Sequence, residues 1–527
     1  MKFLSSLLIL CLAVFSISGC TEDFEELNTR PDALIAANLD ASLLGQGFAR
    51  AQFATMHGAP VGSFQLSQSL FADLYAQYFA TTAANFDSDR YVEVGRWIDG
   101  SWNNFYANSA TGIKFVEDFA ANNNLPLEGA LAKIWKVQAY HRQTDYYGPI
   151  IYSQFGNGET TVPYDTQESI YKSFFGTLDE ALAVLNANRG SNAFGNNDLL
   201  YAGNVDKWIT FANSLRLRLA MRIRYVEPAL AKAEAEKAVN AGVMLSNADN
   251  ASLLTTAASF NDYNRITAWG EFRMSALMES ILVGYDDPRL PQYFSPAVNG
   301  DLDGDGSPFE GLRNGQAKVD KVPQYNTDHS DMAPKYLPGN LGTGGPRLAV
   351  MDCAEMYFLR AEGALVGWNM GGTAKDFYEE GIRQSMMEHT SASAADIAAY
   401  ISSTATPKAV GDVWNTPASS DIPVKFEEGG GLERQLEQII TQKWIGLYPD
   451  SWEAFAELRR TGYPKIIPLL FSDNQEGLGP NDIFRRLTFV DGEFSNNREA
   501  VQAAVMLPEI QSRGGDKNST RVWWDAK

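Results

Sequence analysis

The chain has 527 residues, with 43 Lys or Arg against 64 Asp or Glu, so its formal net charge at pH 7 is −21. A chain this acidic repels phosphate backbones and anionic headgroups, which argues against nucleic acid and acidic lipid as partners. Hydrophobic residues make up 45% of the chain, as in globular proteins. Length alone allows about two to four domains, and one large helical domain is also compatible with it.

The first 19 residues have the three parts of a secretory signal: Lys2, an apolar run over 4–15, and small residues before the cleavage point. The run is shorter than the about 20 apolar residues that span a bilayer, so we expect removal rather than an anchor helix. The sequence Ile17-Ser18-Gly19-Cys20 resembles the lipobox of bacterial lipoproteins, which implies that Cys20 is acylated. The alternative is an ordinary signal that leaves Cys20 free.

Acidic residues follow Cys20 at once, beginning with Glu22 and Asp23. We interpret residues 20–40 as a lipidated N-terminus and tether. The acids resemble the stretch behind the lipid cysteine of surface-exposed lipoproteins in Bacteroidetes, and a merely solvated linker is an equal alternative. Acyl chains contribute about 0.8 kcal/mol for each buried CH₂, so a multiply acylated cysteine anchors firmly.

From residue 41 onward the apolar residues recur with helical spacing, so we predict one mainly α domain over 41–527. Helices are predicted in pairs, with small and aromatic residues alternating in the third pair, as in tetratricopeptide repeats. The pairs are 126–145 with 165–187, 205–224 with 228–242, 351–368 with 373–389, and 430–447 with 451–461. Long irregular stretches separate them, at 188–204, 244–268, 284–350, 404–430 and 470–497. These stretches are rich in aromatic residues, which favours ordered, functional loops.

Two features of the predicted helices have a structural and a functional interpretation. Arg216, Arg218, Arg222 and Arg224 could bind phosphate, but a solvated helix face paired with acids is the favoured interpretation. Cys353 is the one cysteine outside the signal and the lipobox, so it cannot form an internal disulfide and is predicted to be a buried thiol.

Seven segments together resemble the SusD/RagB family of outer-membrane nutrient-binding lipoproteins of Bacteroidetes. They are RQTDYYGPIIYSQ (142–154), DKWITFANSLRLRLAMRI (206–223), YDDPRLPQYFSPA (285–297), FEGLRNG (309–315), CAEMYFLRAEGAL (353–365), IITQKWIGLYPDSWEAFAELRRTGYP (439–464) and RRLTF (485–489). The resemblance implies a scaffold of four tetratricopeptide-like helix pairs with long irregular ligand-binding loops. It also implies a binding protein rather than an enzyme. Such a protein captures glycan fragments, or peptides in some branches, and passes them to a SusC-like TonB-dependent transporter.

Motifs for catalysis are absent from the sequence. There is no GxSxG, HExxH or CxxC, and none of the four histidines, His57, His141, His329 and His389, has metal-ligand spacing to another. Resembling segments such as TDYYGPI and LYPDSWEAF are interpreted as helix ends, with Gly148 stopping one helix and Asp450 or Ser451 capping another. No cofactor is expected to be required.

One loop carries the first half of a calcium-binding pattern. Asp301, Asp303 and Asp305 alternate and Gly306 follows, which places hard oxygens at positions one, three and five before a sharp turn. Position twelve is Leu312 instead of a glutamate. Calcium and a plain acidic turn both remain open.

Ligand contacts are predicted at loop aromatics, since sugars stack their C–H faces on rings and bond their hydroxyls to polar groups. In the family the pocket draws on the loop after the early helices and on the central loops. We therefore predict contacts from Trp97 and Trp269, supported by Tyr91, Tyr263 and Arg265. Packing of a loop against the scaffold is the alternative role for each. The rival functions are a peptide-binding member of the family, a lipid-anchored glycoside hydrolase, and an adaptor that binds only protein.

Overall fold

Helices dominate the structure, a computed structural model that describes residues 41–57 and 61–527. The predicted signal peptide, Cys20 and the tether over 20–40 lie outside the described residues. Residues 45–527 form one unit, and the bounds of 41–527 for the domain stay a prediction. No helix in the described part of the chain has an apolar stretch long enough to cross a bilayer.

Helices of eight or more residues form the scaffold. They are α1 (Ala41–His57), α2 (Gly95–Asn104), α3 (Thr111–Asn122), α4 (Pro126–Tyr147), α5 (Gln167–Asn186), α6 (Val205–Arg222), α7 (Pro228–Ala241), α8 (Ala276–Gly284), α9 (Cys353–Leu365), α10 (Ala374–His389), α11 (Ala394–Ile401), α12 (Gly431–Gly446), α13 (Ser451–Thr461) and α14 (Arg498–Val505). Four strands are β1 (Phe79–Thr81), β2 (Ala251–Leu253), β3 (Phe272–Met274) and β4 (Leu348–Met351).

The four predicted helix pairs are confirmed as α4–α5, α6–α7, α9–α10 and α12–α13, whose members pack against each other. Successive pairs also touch, because α5 packs on α6, α6 on α9 and α9 on α12. Small residues permit this close approach: a Cβ on Gly381 in α10 would lie 2.7 Å from the Phe358 ring of α9. The scaffold is therefore a stack of helix pairs.

Local signals at the helix ends were right at one position and wrong at another. Gly148 follows α4 with φ +79°, a conformation that favours glycine and stops the helix. Asp450 precedes α13 but makes no side-chain cap. Its carboxylate instead accepts a hydrogen bond from Arg142 Nη1 at 3.1 Å, and Ser451 donates to Asp73. Tertiary partners replace the predicted cap.

The arginines of α6 correct a second expectation. Their pairing with acids is confirmed, but Arg216, Arg218 and Arg222 are 1% exposed or less instead of lying on a solvated face. Arg218 bonds Glu355 and Arg222 bonds Glu453 across neighbouring helices. These arginines lie in the buried centre of the stacked helix pairs.

Other buried positions agree with the sequence, with one exception. The helical tryptophans Trp135, Trp208, Trp444 and Trp452 are all buried, as is the free thiol of Cys353. His141 and Asp145 stand four apart on α4, a spacing that predicts pairing at the surface, but both are 1% exposed. Asp145 accepts hydrogen bonds from the Tyr171 hydroxyl and the Trp524 indole instead.

The second half of the structure consists of loops that two short antiparallel ladders hold together. β1 pairs with β3 and β2 pairs with β4. Helical segments of four to six residues interrupt the loops that we predicted as irregular, at Tyr263–Ile266, Leu290–Tyr293, Tyr325–Asp328 and Asp491–Asn496. The loops are thus ordered by pairing and packing, not by long helices.

Candidate ligand-binding surface

The two segments that carry the predicted aromatic contacts lie side by side. β1 runs into residues 82–97 and β3 is preceded by residues 263–271, and the ladder pairs Thr81 with Phe272. Beyond the ladder, Thr82 donates its N–H to the carbonyl of Glu271 at 2.9 Å and its hydroxyl to the carbonyl of Gly270 at 2.8 Å. Sequence positions nearly 200 apart therefore form one surface.

Phe86 packs between these two segments. Its ring centre lies 5.8 Å from Trp97, edge to face, and 5.8 Å from Phe272, nearly parallel. This contact buries Trp97, which is 7% exposed and lies in α2 rather than between helices as we predicted. The expectation of an exposed platform at Trp97 is therefore wrong, and any contact of this ring with ligand stays a prediction.

Tyr91 and Tyr263, which we predicted as supporting contacts, are both buried. Tyr91 is 3% exposed, packs on Tyr75 and Phe484, and donates its hydroxyl to the carbonyl of Asp482. Tyr263 is 2% exposed and donates to Asp73 at 2.9 Å, while its oxygen accepts from Gln68. Burial raises the pKa of Asp73 to about 6, against the hydrogen bonds that lower it. Contact of either tyrosine with ligand stays a prediction.

Trp269 is the predicted ring that does face solvent. It ends the turn Thr267–Trp269 and is 42% exposed. Gly270 follows with φ +64°, and a Cβ there would lie 3.5 Å from the Asn326 amide. Beyond it, the Glu271 carboxylate accepts from Gln65 at 2.7 Å. An exposed indole on a segment that also carries amide and carboxylate side chains suits sugar stacking.

The segments around Trp269 contain two polar atoms without partners. The buried Oδ1 of Asn326 and the buried Nε of Arg265 have no hydrogen-bond partner among the described residues. The Arg265 guanidinium lies 5.3 Å from the ring of Phe260, so its plane is held by packing. We call residues 82–86, 265–271 and 321–329 the Trp269 surface.

Sequence reasoning missed a second exposed aromatic, Trp414, which is 41% exposed. Asp412 holds the turn, accepting the N–H of Trp414 at 3.1 Å and that of Thr416 at 2.9 Å. An aspartate two residues before an aromatic is the local signal that could have found it, because Asp side chains fix turns by bonding the backbone just ahead.

The acidic loop lies against the Trp414 turn, where Gly411 donates to Asp303 at 3.0 Å. Two buried glutamates join the three aspartates. Oxygens of Glu279, Asp303 and Asp305 lie within 4.8 Å of one another, as do those of Asp301, Asp303 and Glu310. Hard carboxylate oxygens suit calcium, but Lys408 already pairs with Asp305 at 2.6 Å. Calcium at this loop stays a prediction.

The two glutamates have unusual electrostatics. Burial, and then the neighbouring acids, raise the pKa of Glu279 to about 9, although a hydrogen bond from Gly311 opposes the rise. The pKa of Glu310 is raised to about 7 for the same two reasons. A proton or a cation would relieve this repulsion.

The comparisons with known proteins agree with this architecture. A family model described as SusD-like, Susd and RagB outer membrane lipoprotein, matches residues 26–525. No curated protein matches the chain. A chitin-binding SusD homologue from Flavobacterium johnsoniae is 36% identical, with a TM-score of 0.81 over 92% of this chain and 98% of that one. SusD homologues from Bacteroides uniformis and Bacteroides thetaiotaomicron are 34% and 32% identical, each with a TM-score of 0.81 over 93% of this chain and 100% of theirs.

Proposed function

Because the chain belongs to the SusD-like family of outer membrane lipoproteins, we propose that it captures oligosaccharides at the cell surface and delivers them to a SusC-like TonB-dependent transporter. It binds and does not cleave its ligand. Acylated Cys20 anchors it in the outer membrane, and the Trp269 surface holds the glycan.

The observation that carries this proposal is the exposed indole of Trp269, on a surface that also contains Asn326 and Arg265. A sugar ring stacked on the indole would bury its apolar face, while Asn326 and Arg265 lie within the same surface for its hydroxyls. The identity to a chitin-binding homologue makes chito-oligosaccharides the first glycan class to test.

Calorimetric titration of residues 21–527 with chito-, cello- and malto-oligosaccharides, and with a mixed peptide digest, tests the proposal. We expect heat with one glycan class and an affinity about tenfold lower in Trp269→Ala, equivalent to about 1.4 kcal/mol. Trp414→Ala is the matched control, because the two indoles are equally exposed, and it should bind like the parent protein.

Each rival function predicts a different result. Heat with peptides alone would favour the peptide-binding branch of the family. Release of reducing sugar during incubation would favour a lipid-anchored hydrolase. An adaptor would bind no soluble ligand in any variant. For the anchor, Cys20→Ala should move the protein from the membrane fraction to the soluble fraction.

A further inference from the structure

Trp269 ends a short helical turn that begins at Tyr263. Its two parts, Tyr263–Ile266 and Thr267–Trp269, follow each other without a break. The Thr267 hydroxyl ties them together by donating to the Tyr263 carbonyl at 2.9 Å. A shift of Tyr263 would therefore move the segment that carries the exposed indole.

The side chain of Tyr263 is fixed both by packing and by its hydroxyl. The ring lies edge to face with Phe64 at 5.0 Å and with Tyr336 at 6.0 Å. The hydroxyl donates to Asp73 at 2.9 Å and accepts from Gln68 at 2.7 Å. Packing positions the ring, and the hydroxyl bonds add a direction, because hydrogen bonds weaken steeply when they are bent.

Asp73 connects this turn to the helical scaffold. It lies in the helical segment Ala72–Tyr75 and is 1% exposed. The Ser451 hydroxyl, at the start of α13, donates to the same carboxylate oxygen as Tyr263 does. Hydroxyl and amide donors, with no ion pair among the described residues, oppose the cost of burying the Asp73 charge.

We infer that Asp73 is a positioning residue for ligand binding: its carboxylate holds Tyr263 and thereby fixes the turn that presents Trp269. Trp269 contacts the glycan in the proposed function, on which this inference rests. A charged carboxylate accepts a shorter and stronger hydrogen bond than a neutral one. Once Asp73 carries a proton, the Pro449 carbonyl at 3.2 Å competes for the Tyr263 hydroxyl. The ionised form therefore holds the turn more firmly.

The groups around Asp73 determine how its ionisation can be observed. Burial raises its pKa to about 6. Four neighbouring tyrosines stay neutral because burial raises the pKa of each; they are Tyr78, Tyr146, Tyr263 and Tyr448. On α4, Arg142 is paired with Asp450 at 3.1 Å. Burial also raises the pKa values of Asp331 and Glu271, so a variant of Asp73 is needed to isolate its share.

Calorimetric titration of residues 21–527 with chito-oligosaccharide, or with the glycan class that binds, tests the inference in two variants. Tyr263→Phe keeps the ring and removes the hydroxyl, whereas Asp73→Asn keeps the shape and removes the charge. At about pH 7.5 each should weaken the affinity about fivefold, the size expected for one hydrogen bond. The double variant should bind no more weakly than either single variant, because both remove the same interaction.

The pH profile of affinity separates positioning from a merely structural role. If the ligand requires the held turn, Asp73 loses its proton more readily in the complex, so the affinity of the parent protein should rise about fivefold as pH rises through about 6. In Asp73→Asn that rise should disappear. Any slope that the parent protein and Asp73→Asn share belongs to other groups, such as Glu271 or Asp331.

Tyr171→Phe is the matched control, because it also breaks a buried bond from a tyrosine to an aspartate, here Asp145 at 2.5 Å between α5 and α4. It should lower the melting temperature but leave the affinity within about twofold of the parent value. An affinity loss in Tyr171→Phe equal to that in Tyr263→Phe would overturn the inference. Additive losses in the double variant would also overturn it, as would a pH profile in Asp73→Asn as steep as that of the parent protein.

Hydrogen exchange tests the held turn without ligand. The amides of Asn264, Arg265 and Ile266 bond to the carbonyls of residues 261 and 262, so they exchange when the turn opens. Their exchange should be about fivefold faster in Tyr263→Phe and Asp73→Asn and unchanged in Tyr171→Phe. Should no oligosaccharide bind the parent protein, the proposed function fails and exchange alone decides whether Asp73 holds the turn. Unchanged exchange in Tyr263→Phe and Asp73→Asn would overturn the inference.

Discussion

The stacked helix pairs and the loop half treat buried carboxylates in opposite ways. Between the helices, burial alone would raise the pKa of Glu453, but Arg222, Arg218 and Lys443 hold it below its usual value. At the acidic loop, burial raises the pKa of Glu279 of α8, and the acids around it raise it further. Between the helices the buried carboxylates are paired with cations, whereas Glu279 and Glu310 face further carboxylates of the acidic loop, where Lys408 pairs with Asp305.

The largest effect is expected from breaking the helical network at its centre. Glu453→Gln leaves Arg222 and Lys443 buried with less negative charge, and loss of one partner from a buried pair costs about 3–5 kcal/mol. Urea denaturation should show a fall in the free energy of unfolding of that size. Glu180→Gln breaks the exposed pair with Lys133 and should cost under about 1 kcal/mol. Equal losses of unfolding free energy in Glu453→Gln and Glu180→Gln would show that the buried network stabilises the protein no more than an exposed ion pair.

This network shows which structural features the sequence predicts and which it does not. The helix pairs were predictable, because apolar spacing and the glycine and proline residues at the ends are local signals. Burial of Arg218 and Arg222 was not, since an arginine face looks the same whether water or the glutamates of another helix cover it. Likewise, Trp97 and Trp269 both lie in polar sequence, and only the contact of Phe86 with Phe272 decides which ring is covered.

The acidic loop offers the next largest effect. If calcium binds there, a concentration of about 100 times its dissociation constant should stabilise the protein by about 2.7 kcal/mol. Asp303→Asn should abolish the rise in melting temperature, because Asp303 belongs to both groups of carboxylates. Magnesium should act more weakly, since it prefers to keep its own water shell. An unchanged melting temperature with calcium would leave the loop as an acidic turn.

The pH dependence of stability should separate the two halves. The folded pKa of Glu279 is raised, so its contribution is fully present below its unfolded pKa of about 4.3. That contribution is lost as pH rises towards about 9. In calcium-free buffer, each pH unit in this window should remove up to about 1.4 kcal/mol.

Glu279→Gln removes this titration and should flatten the decline in melting temperature across the same window. Glutamine can still accept the N–H of Gly311, which the glutamate accepts now. Glu453 has the opposite sign: its contribution is present above its unfolded pKa and is lost only on acidification. A Glu279→Gln profile that declines as steeply as that of the parent protein would show that Glu279 is not the titrating group.

The smallest effect tests the contrast within the loop half itself. Trp97→Phe keeps an aromatic ring against Phe86 but removes part of a buried side chain, so the free energy of unfolding should fall by about 1 kcal/mol. Affinity for the oligosaccharide should stay within about twofold of the parent value, because the ring lies beneath the surface. Trp269→Ala should do the reverse, lowering affinity with little change in stability. A loss of affinity in Trp97→Phe without a loss of stability would show that ligand reaches the buried ring. Binding would then require Phe86 to move, and the exposed indole would be the entrance to the site instead of its floor.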